Sequence, residues 1–76
     1  MSNGEPLRIT ITLHKDIGHR IRELFGELIA STDEHWNFTR VINVVLQCGF
    51  DVLEKMDRDE RIEYLTKVYK ELYTPP

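Results

Sequence analysis

Residues 7–13, with the sequence LRITITL, alternate apolar and polar side chains one by one, and nothing else in the chain shows this pattern. The alternation predicts a β-strand with one apolar and one polar face. A lone strand leaves its backbone N–H and C=O groups without partners, and two strands are the least that can pair. Because the chain supplies only one strand, we expect the second to come from another molecule.

The size of the chain points in the same direction. Its 76 residues lie near the lower limit at which a domain buries enough apolar surface to fold unaided, so oligomerisation is a ready route to stability.

The formal net charge of −3 decides nothing about a nucleic-acid partner, since the placement of charges matters more than their total. No apolar run is long enough to cross a bilayer and no signal-peptide pattern begins the chain, so we expect a cytoplasmic protein without a membrane partner.

The apolar residues change from period two to helical spacing after the strand. Residues 1–6 are polar and predict a flexible N-terminal arm. A first helix is predicted from about residue 15 to 30, followed by a polar connection over residues 31–36. A second helix is predicted to start at Asn37, a favourable N-cap residue, and to continue to Met56.

A third helix is predicted beyond Met56. Asp57 and Glu60 have the spacing at which each side chain can cap the other's backbone, and an apolar stripe continues to about Tyr73. The chain is therefore expected to comprise an arm, a unit of strand and two helices, and a C-terminal helical extension. Their ranges are 1–6, 7–56 and 57–76.

The second helix is apolar over most of its circumference, because Val44, Cys48 and Val52 widen its apolar face. Such a helix must be buried on more than one side, which a chain this small can hardly achieve alone. Cys48, the single cysteine, is expected to be a buried thiol without chemistry. The second helix thus also predicts another subunit.

A second copy of the chain can supply both the missing strand and the cover that the second helix needs. The two strands then pair antiparallel across a two-fold axis, and the helices interlock beneath them. The period of two divides the side chains of this ribbon into two sets. The apolar set faces the shared helical core and comprises Leu7, Ile9, Ile11 and Leu13. The polar set stands on the outer face and comprises Arg8, Thr10 and Thr12. We expect a mainly α protein with one N-terminal strand, assembled as an intertwined homodimer, with higher oligomers left open.

Three segments together resemble the ribbon-helix-helix (MetJ/Arc/CopG-type) DNA-binding proteins. They are the strand RITITL, the first-helix sequence IRELFGEL and the second-helix sequence NFTRVINVVLQCGF. The last has a small polar cap, a hydroxyl residue, an apolar pair ending in Ile and a Gly about two turns later. The resemblance covers roughly residues 7–56, so the third helix lies outside it.

The resemblance implies a β-ribbon that enters the DNA major groove, with its outward side chains reading base edges. By position these readers are Arg8, Thr10 and Thr12 of each subunit. Arg can grip a guanine edge with two hydrogen bonds, and Thr offers a hydroxyl group and a methyl group. The resemblance also implies phosphate contacts, which map onto the start of the second helix and onto the strand-to-helix turn. The residues concerned are Asn37, Thr39, Arg40 and Lys15.

The chain departs from the family pattern at two positions of the second helix. Arg40 stands where the family often has a Glu that completes a capping box, so a cap is lost and a cation near phosphate is gained. Phe38 stands where a polar or basic residue is common, and we expect it to pack against the core. The connection between the two helices is also longer than the usual tight turn.

Other interpretations of the polar and aromatic residues stay open. Arg8, Thr10 and Thr12 can be a merely solvated strand face, since Thr is favoured in strands for its own sake. Trp36 can stack on a base or a partner, or pack as a staple over the start of the second helix. The tyrosines of the third helix, Tyr64, Tyr69 and Tyr73, can mark a protein interface or close the core.

Catalytic and metal-binding functions have little support in the sequence. His14, His19 and His35 have no carboxylate or thiol at ligand spacing, so we expect surface histidines and no metal site. No phosphate-binding Gly-rich loop and no nucleophile with an adjacent base is recognisable, so we expect neither an enzyme nor a cofactor.

The sequence therefore predicts a homodimeric regulator that binds a roughly palindromic double-stranded DNA operator and represses transcription. The alternative is a protein-interaction module, such as an antitoxin or a phage or plasmid accessory protein. In that case the dimer is a scaffold and the C-terminal helix holds a protein partner. An antitoxin usually carries a disordered tail that folds on its toxin, so an ordered third helix would count against that version.

Overall fold

A computed structural model describes residues 6–73 and contains three α-helices. Helix α1 spans Lys15–Ser31, α2 spans Phe38–Leu53 and α3 spans Arg58–Tyr73. The prediction of three helices is confirmed. Most of the expected arm, residues 1–5, lies outside the described residues.

The expected strand is not formed in the single chain. Residues 6–14 belong to no helix or strand, and no strand occurs anywhere in the described part of the chain. A strand exists through its hydrogen bonds to a neighbour, and one chain offers no second alternating stretch. The ribbon and the homodimer accordingly stay predictions.

Helix α1 begins and ends with side-chain caps. His14 precedes the helix, and its Nδ1 accepts a hydrogen bond from the backbone N–H of Asp16 at 3.2 Å. At the other end Thr32 donates to the carbonyl of Leu28 twice, from its backbone N–H at 3.0 Å and from its hydroxyl at 2.9 Å. These bonds satisfy groups that a helix end leaves without intrahelical partners. The predicted end near residue 30 is correct to one residue.

Helix α2 ends three residues before the predicted end at Met56. Glu54 still donates four residues back, to the carbonyl of Phe50 at 2.8 Å. The next two backbone N–H groups donate only three residues back: Lys55 to the carbonyl of Val52 at 3.3 Å and Met56 to that of Leu53 at 3.1 Å. Such i to i−3 bonds tighten the last turn and end the helix. The prediction of a continuous helix to Met56 is therefore wrong.

Helix α3 begins with the predicted reciprocal cap. The backbone N–H of Glu60 donates to Asp57 Oδ1 at 2.9 Å, and the backbone N–H of Asp57 donates to Glu60 Oε1 at 3.1 Å. This is the capping box that the sequence spacing predicts, and it fixes where α3 begins.

The chain divides between Phe38 and Thr39 into two compact units. In the first unit the rings of Phe25 and Phe38 meet edge to face, with their centroids 6.2 Å apart. In the second unit Arg61 connects the end of α2 to the start of α3. Its guanidinium donates from Nε to the carbonyl of Leu53 at 3.2 Å and from Nη2 to the carbonyl of Met56 at 3.0 Å.

The described chain has very little core of its own. Only Ile21 and Val41 are buried among the described hydrophobic side chains, whereas sixteen large ones are exposed. Cys48 is exposed, so the expectation of a buried thiol is wrong for the single chain.

Candidate nucleic-acid interface

The predicted base readers lie in the segment that precedes α1. Arg8, Thr10 and Thr12 are all exposed. So are the apolar residues between them, since Leu7, Ile9 and Ile11 are 85%, 70% and 58% exposed. Both faces of the alternating stretch therefore meet solvent in the single chain. The structure leaves the polar residues accessible, and it leaves the apolar residues without a cover.

The predicted phosphate ligands lie mainly at the start of α2. Asn37 directly precedes the helix, and Thr39 and Arg40 are its second and third residues; all three are exposed. No acidic residue lies in this first turn, whereas α1 has Asp16 there. The backbone N–H groups and the positive dipole end of a helix start favour an anion, and Arg40 adds a full positive charge.

Phe38 belongs to the packing of the first unit. Its ring meets that of Phe25 at an interplanar angle of 75°, an edge-to-face geometry that aromatic pairs prefer. This packing agrees with the expectation that Phe38 supports the fold rather than reads DNA. Phe38 still has 36% of its surface exposed, beside the exposed side chains of Thr39 and Arg40.

Lys15 is the first residue of α1 and is exposed. It stands between His14, which caps the helix, and Asp16, whose carboxylate belongs to the same first turn. The neighbouring negative charge offsets part of the attraction that Lys15 exerts on a phosphate. Lys15 is thus less favourably placed than Arg40.

Trp36 takes part in closing the end of α1. Its indole N–H donates to the hydroxyl oxygen of Thr32 at 2.8 Å, and the backbone N–H of Glu34 donates to the same oxygen at 3.3 Å. Because the Thr32 hydroxyl donates to Leu28, one side chain joins the helix end to the connection. These contacts tie Trp36 to the end of α1, whereas the expected staple lies over the start of the second helix and stays a prediction.

Two residues with structural roles were missed by the sequence patterns. A Thr immediately after a helix signals a side-chain cap, so Thr32 could have been found. Arg61 could not, because its two carbonyl partners lie eight and five residues earlier, at the end of another helix. Helical periodicity assigns Arg61 only to the border of the apolar stripe of α3.

Other kinds of site are not apparent in residues 6–73. No group of three or more His, Cys, Asp or Glu side chains there could hold a metal ion. Within the same residues no helix has the length and apolar character needed to span a bilayer.

Comparison with known proteins adds no relative: no family model, no curated protein and no solved structure matches the chain. Function therefore has to be inferred from the residues and their geometry.

Proposed function

We propose that the chain is the subunit of a ribbon-helix-helix homodimer that binds double-stranded DNA sequence-specifically and represses transcription. The observation that carries the proposal is the alternating stretch before α1. Its apolar residues, Leu7, Ile9 and Ile11, are exposed, and its backbone has no strand partner. Antiparallel pairing with a second copy covers the apolar face and satisfies the backbone in one step.

The exposed apolar side chains support a second copy. Among the described residues only Ile21 and Val41 are buried, whereas sixteen large hydrophobic side chains are exposed. Apolar surface of this kind is what an obligate homodimer covers.

Helix α2 supports the same assembly. Its exposed apolar side chains lie on nearly all sides of the helix and comprise Val44, Val45, Leu46, Phe50 and Val52. At 100° per residue, the polar side chains that follow Thr39 occupy one narrow strip: Arg40, Asn43, Gln47 and Asp51. An interlocked dimer buries such a helix on several sides while leaving this strip at the surface.

The chemistry of the remaining residues fits DNA. A two-stranded ribbon fits the major groove, and a homodimer carries Arg8, Thr10 and Thr12 twice on one such ribbon. Arg40, Thr39 and Asn37 at the start of α2 then supply phosphate contacts, with Lys15 as a further cation.

The alternative function, a scaffold for a protein partner, has one observation against its antitoxin version. Helix α3 begins with its own capping box and is tied to α2 by Arg61. A tail that becomes ordered only on its partner does not need such contacts. We therefore place DNA binding first.

Selection of bound sequences from a random DNA pool, at physiological ionic strength, tests the proposal. Enrichment of a palindrome is expected, because a two-fold ribbon reads two equivalent half-sites. A pool that stays flat after several rounds would contradict sequence-specific binding and would favour the scaffold.

Arg8→Ala tests the role assigned to the ribbon. Affinity for the selected operator should fall by about 1 to 3 kcal/mol for each base pair that Arg8 reads, and affinity for random DNA should fall much less. Arg22→Ala is the matched control, because Arg22 is an exposed arginine in the middle of α1. Equal losses on operator and random DNA would show that Arg8 reads no base.

A further inference from the structure

The polar face of the alternating stretch continues one position beyond Thr12. His14 follows Thr12 by two residues, so the period of two places it on the same face as Arg8 and Thr10. Its backbone has φ −55° and ψ 141°, which is extended rather than helical, and α1 begins only at Lys15. The ribbon of the proposed dimer therefore has a fourth polar side chain to present from each subunit.

Helix α1 holds both the backbone and the ring of His14. The backbone N–H of Gly18 donates to the carbonyl of His14 at 2.8 Å, and the backbone N–H of Asp16 donates to its Nδ1 at 3.2 Å. A ring nitrogen that accepts a hydrogen bond carries no hydrogen of its own, so in the neutral imidazole the hydrogen is on Nε2. His14 thus serves the helix with one ring nitrogen and has a hydrogen-bond donor at the other.

A ring held in this way is suited to reading a base edge. Its orientation is set before DNA binds, so the contact costs less side-chain entropy than one from a long flexible chain such as Lys15. A donor also distinguishes bases in the major groove. Guanine, adenine and thymine offer acceptor atoms there, whereas cytosine offers only an amino donor.

We propose that His14 is a fourth base reader of the ribbon, whose Nε2–H donates to an acceptor atom on a base edge in the major groove. This inference rests on the proposed function, since it requires a ribbon dimer in the groove. Antiparallel strands place the two His14 side chains at opposite ends of the ribbon, so each reads the outer edge of one half-site. At that position the contacted strand should carry guanine, adenine or thymine and not cytosine.

Two substitutions separate the two ring nitrogens of His14. Asn has an acceptor at the position of Nδ1 and is a good N-cap residue, but it is too short to reach as far as Nε2. Gln has an amide nitrogen about as far out as Nε2, and it is not among the residues preferred as N-caps. His14→Asn therefore keeps the cap and loses the reader, and His14→Gln does the reverse.

Thermal unfolding and DNA titration measure the two roles in the full chain, with the operator that the wild type selects and with random DNA. His14→Asn should keep the unfolding midpoint and lower operator affinity about fivefold for each half-site, while affinity for random DNA hardly changes. Discrimination against cytosine at the outer position should be lost. His14→Gln should keep most of the operator affinity and lower the midpoint by about 4 °C.

His19→Asn is the matched control. His19 is an exposed histidine within α1, and His and Asn have similar helix propensities. The control should change neither the unfolding midpoint nor the affinity for either DNA.

The outcomes separate this contact from the DNA-binding proposal. An operator that His14→Asn binds as tightly as the wild type does would overturn the contact alone. So would a loss that is equal on random DNA, or a loss that follows the unfolding midpoint in both variants. A wild-type pool that stays flat would overturn sequence-specific DNA binding and the contact with it.

Discussion

Helices α2 and α3 have the same length and opposite characters. Each has 16 residues, but α2 contains two charged side chains, Arg40 and Asp51, and α3 contains eight. Both leave several large apolar residues exposed. In α3 these residues form a stripe opposite a charged face, whereas in α2 they lie on nearly every side. A helix with a charged face is stable at a surface, but a helix like α2 needs cover from outside the single chain.

The starts of α2 and α3 also differ in charge. The start of α3 is closed by carboxylates of the chain itself, those of Asp57 and Glu60. The start of α2 has no acid in its first turn and carries Arg40 instead. An acid-free start with a cation is poorly suited to stabilise its own helix and well suited to hold an external anion. Both contrasts fit the proposed dimer, in which a second subunit covers α2 and DNA phosphate binds at its start.

The largest expected effect on stability comes from replacing one exposed Val of each helix by Asp. Val45 in α2 and Val68 in α3 are both 37% exposed in the single chain, so intrachain burial predicts equal damage from Asp. If a second subunit covers α2, Val45→Asp buries a charge and should destabilise the folded assembly by about 4 kcal/mol or more. Val68→Asp should cost only about 1 kcal/mol.

Denaturation at matched subunit concentrations, with sedimentation to follow the assembly, measures this difference. Equal losses in Val45→Asp and Val68→Asp would mean that α2 is covered no more than α3. The homodimer would then lose its main support in the helical part of the chain.

Local sequence signals predicted much of the fold correctly. The starts of α1 and α3 and the reciprocal cap between Asp57 and Glu60 depend on residues within one helical turn, so spacing alone reveals them. The end of α2 was missed because Met56 continues the apolar period and no Gly or Pro lies between Leu53 and Met56. The bonds that end α2 depend on backbone geometry, which hydrophobic periodicity does not record.

The candidate site is predictable only in part, for a different reason. The strand face of Arg8, Thr10 and Thr12 is expected to form only on pairing with a second molecule, and the single chain leaves these side chains and Leu7, Ile9 and Ile11 exposed. The start of α2 is a local feature, and the structure places Thr39 and Arg40 in its first turn as predicted. Hydrogen bonds between distant parts of the chain, such as those of Arg61 with the end of α2, leave no trace in periodicity.

A smaller effect is expected where α3 joins α2. Arg61→Ala removes two charge-assisted hydrogen bonds to the carbonyls of Leu53 and Met56 and should lower the free energy of unfolding by about 1 to 2 kcal/mol. Arg58→Ala is the control, because the side chain of Arg58 is 80% exposed and its ion pair with Asp59, at 3.6 Å, lies at the surface. Hydrogen exchange should show faster opening of α3 in the first variant only. If both variants behave alike, the attachment of α3 to α2 does not depend on Arg61.

The smallest effect on stability is expected from making the start of α2 resemble that of α3. Arg40→Glu places a carboxylate three residues after Asn37, where it can complete a capping box, and should stabilise the fold by about 0.5 kcal/mol. The same change should weaken binding to all DNA sequences and lower the slope of log K against log salt by about one for each phosphate that Arg40 neutralises in the wild type.

The control is Arg22→Glu, which reverses an equal charge in the middle of α1, where no helix start lies. It should neither stabilise the fold nor lower the slope. A variant that gains stability while its DNA affinity falls would show that the α2 start serves binding at the expense of the fold. A fall in both quantities would instead make Arg40 a structural residue, and an unchanged slope would remove it from the phosphate ligands.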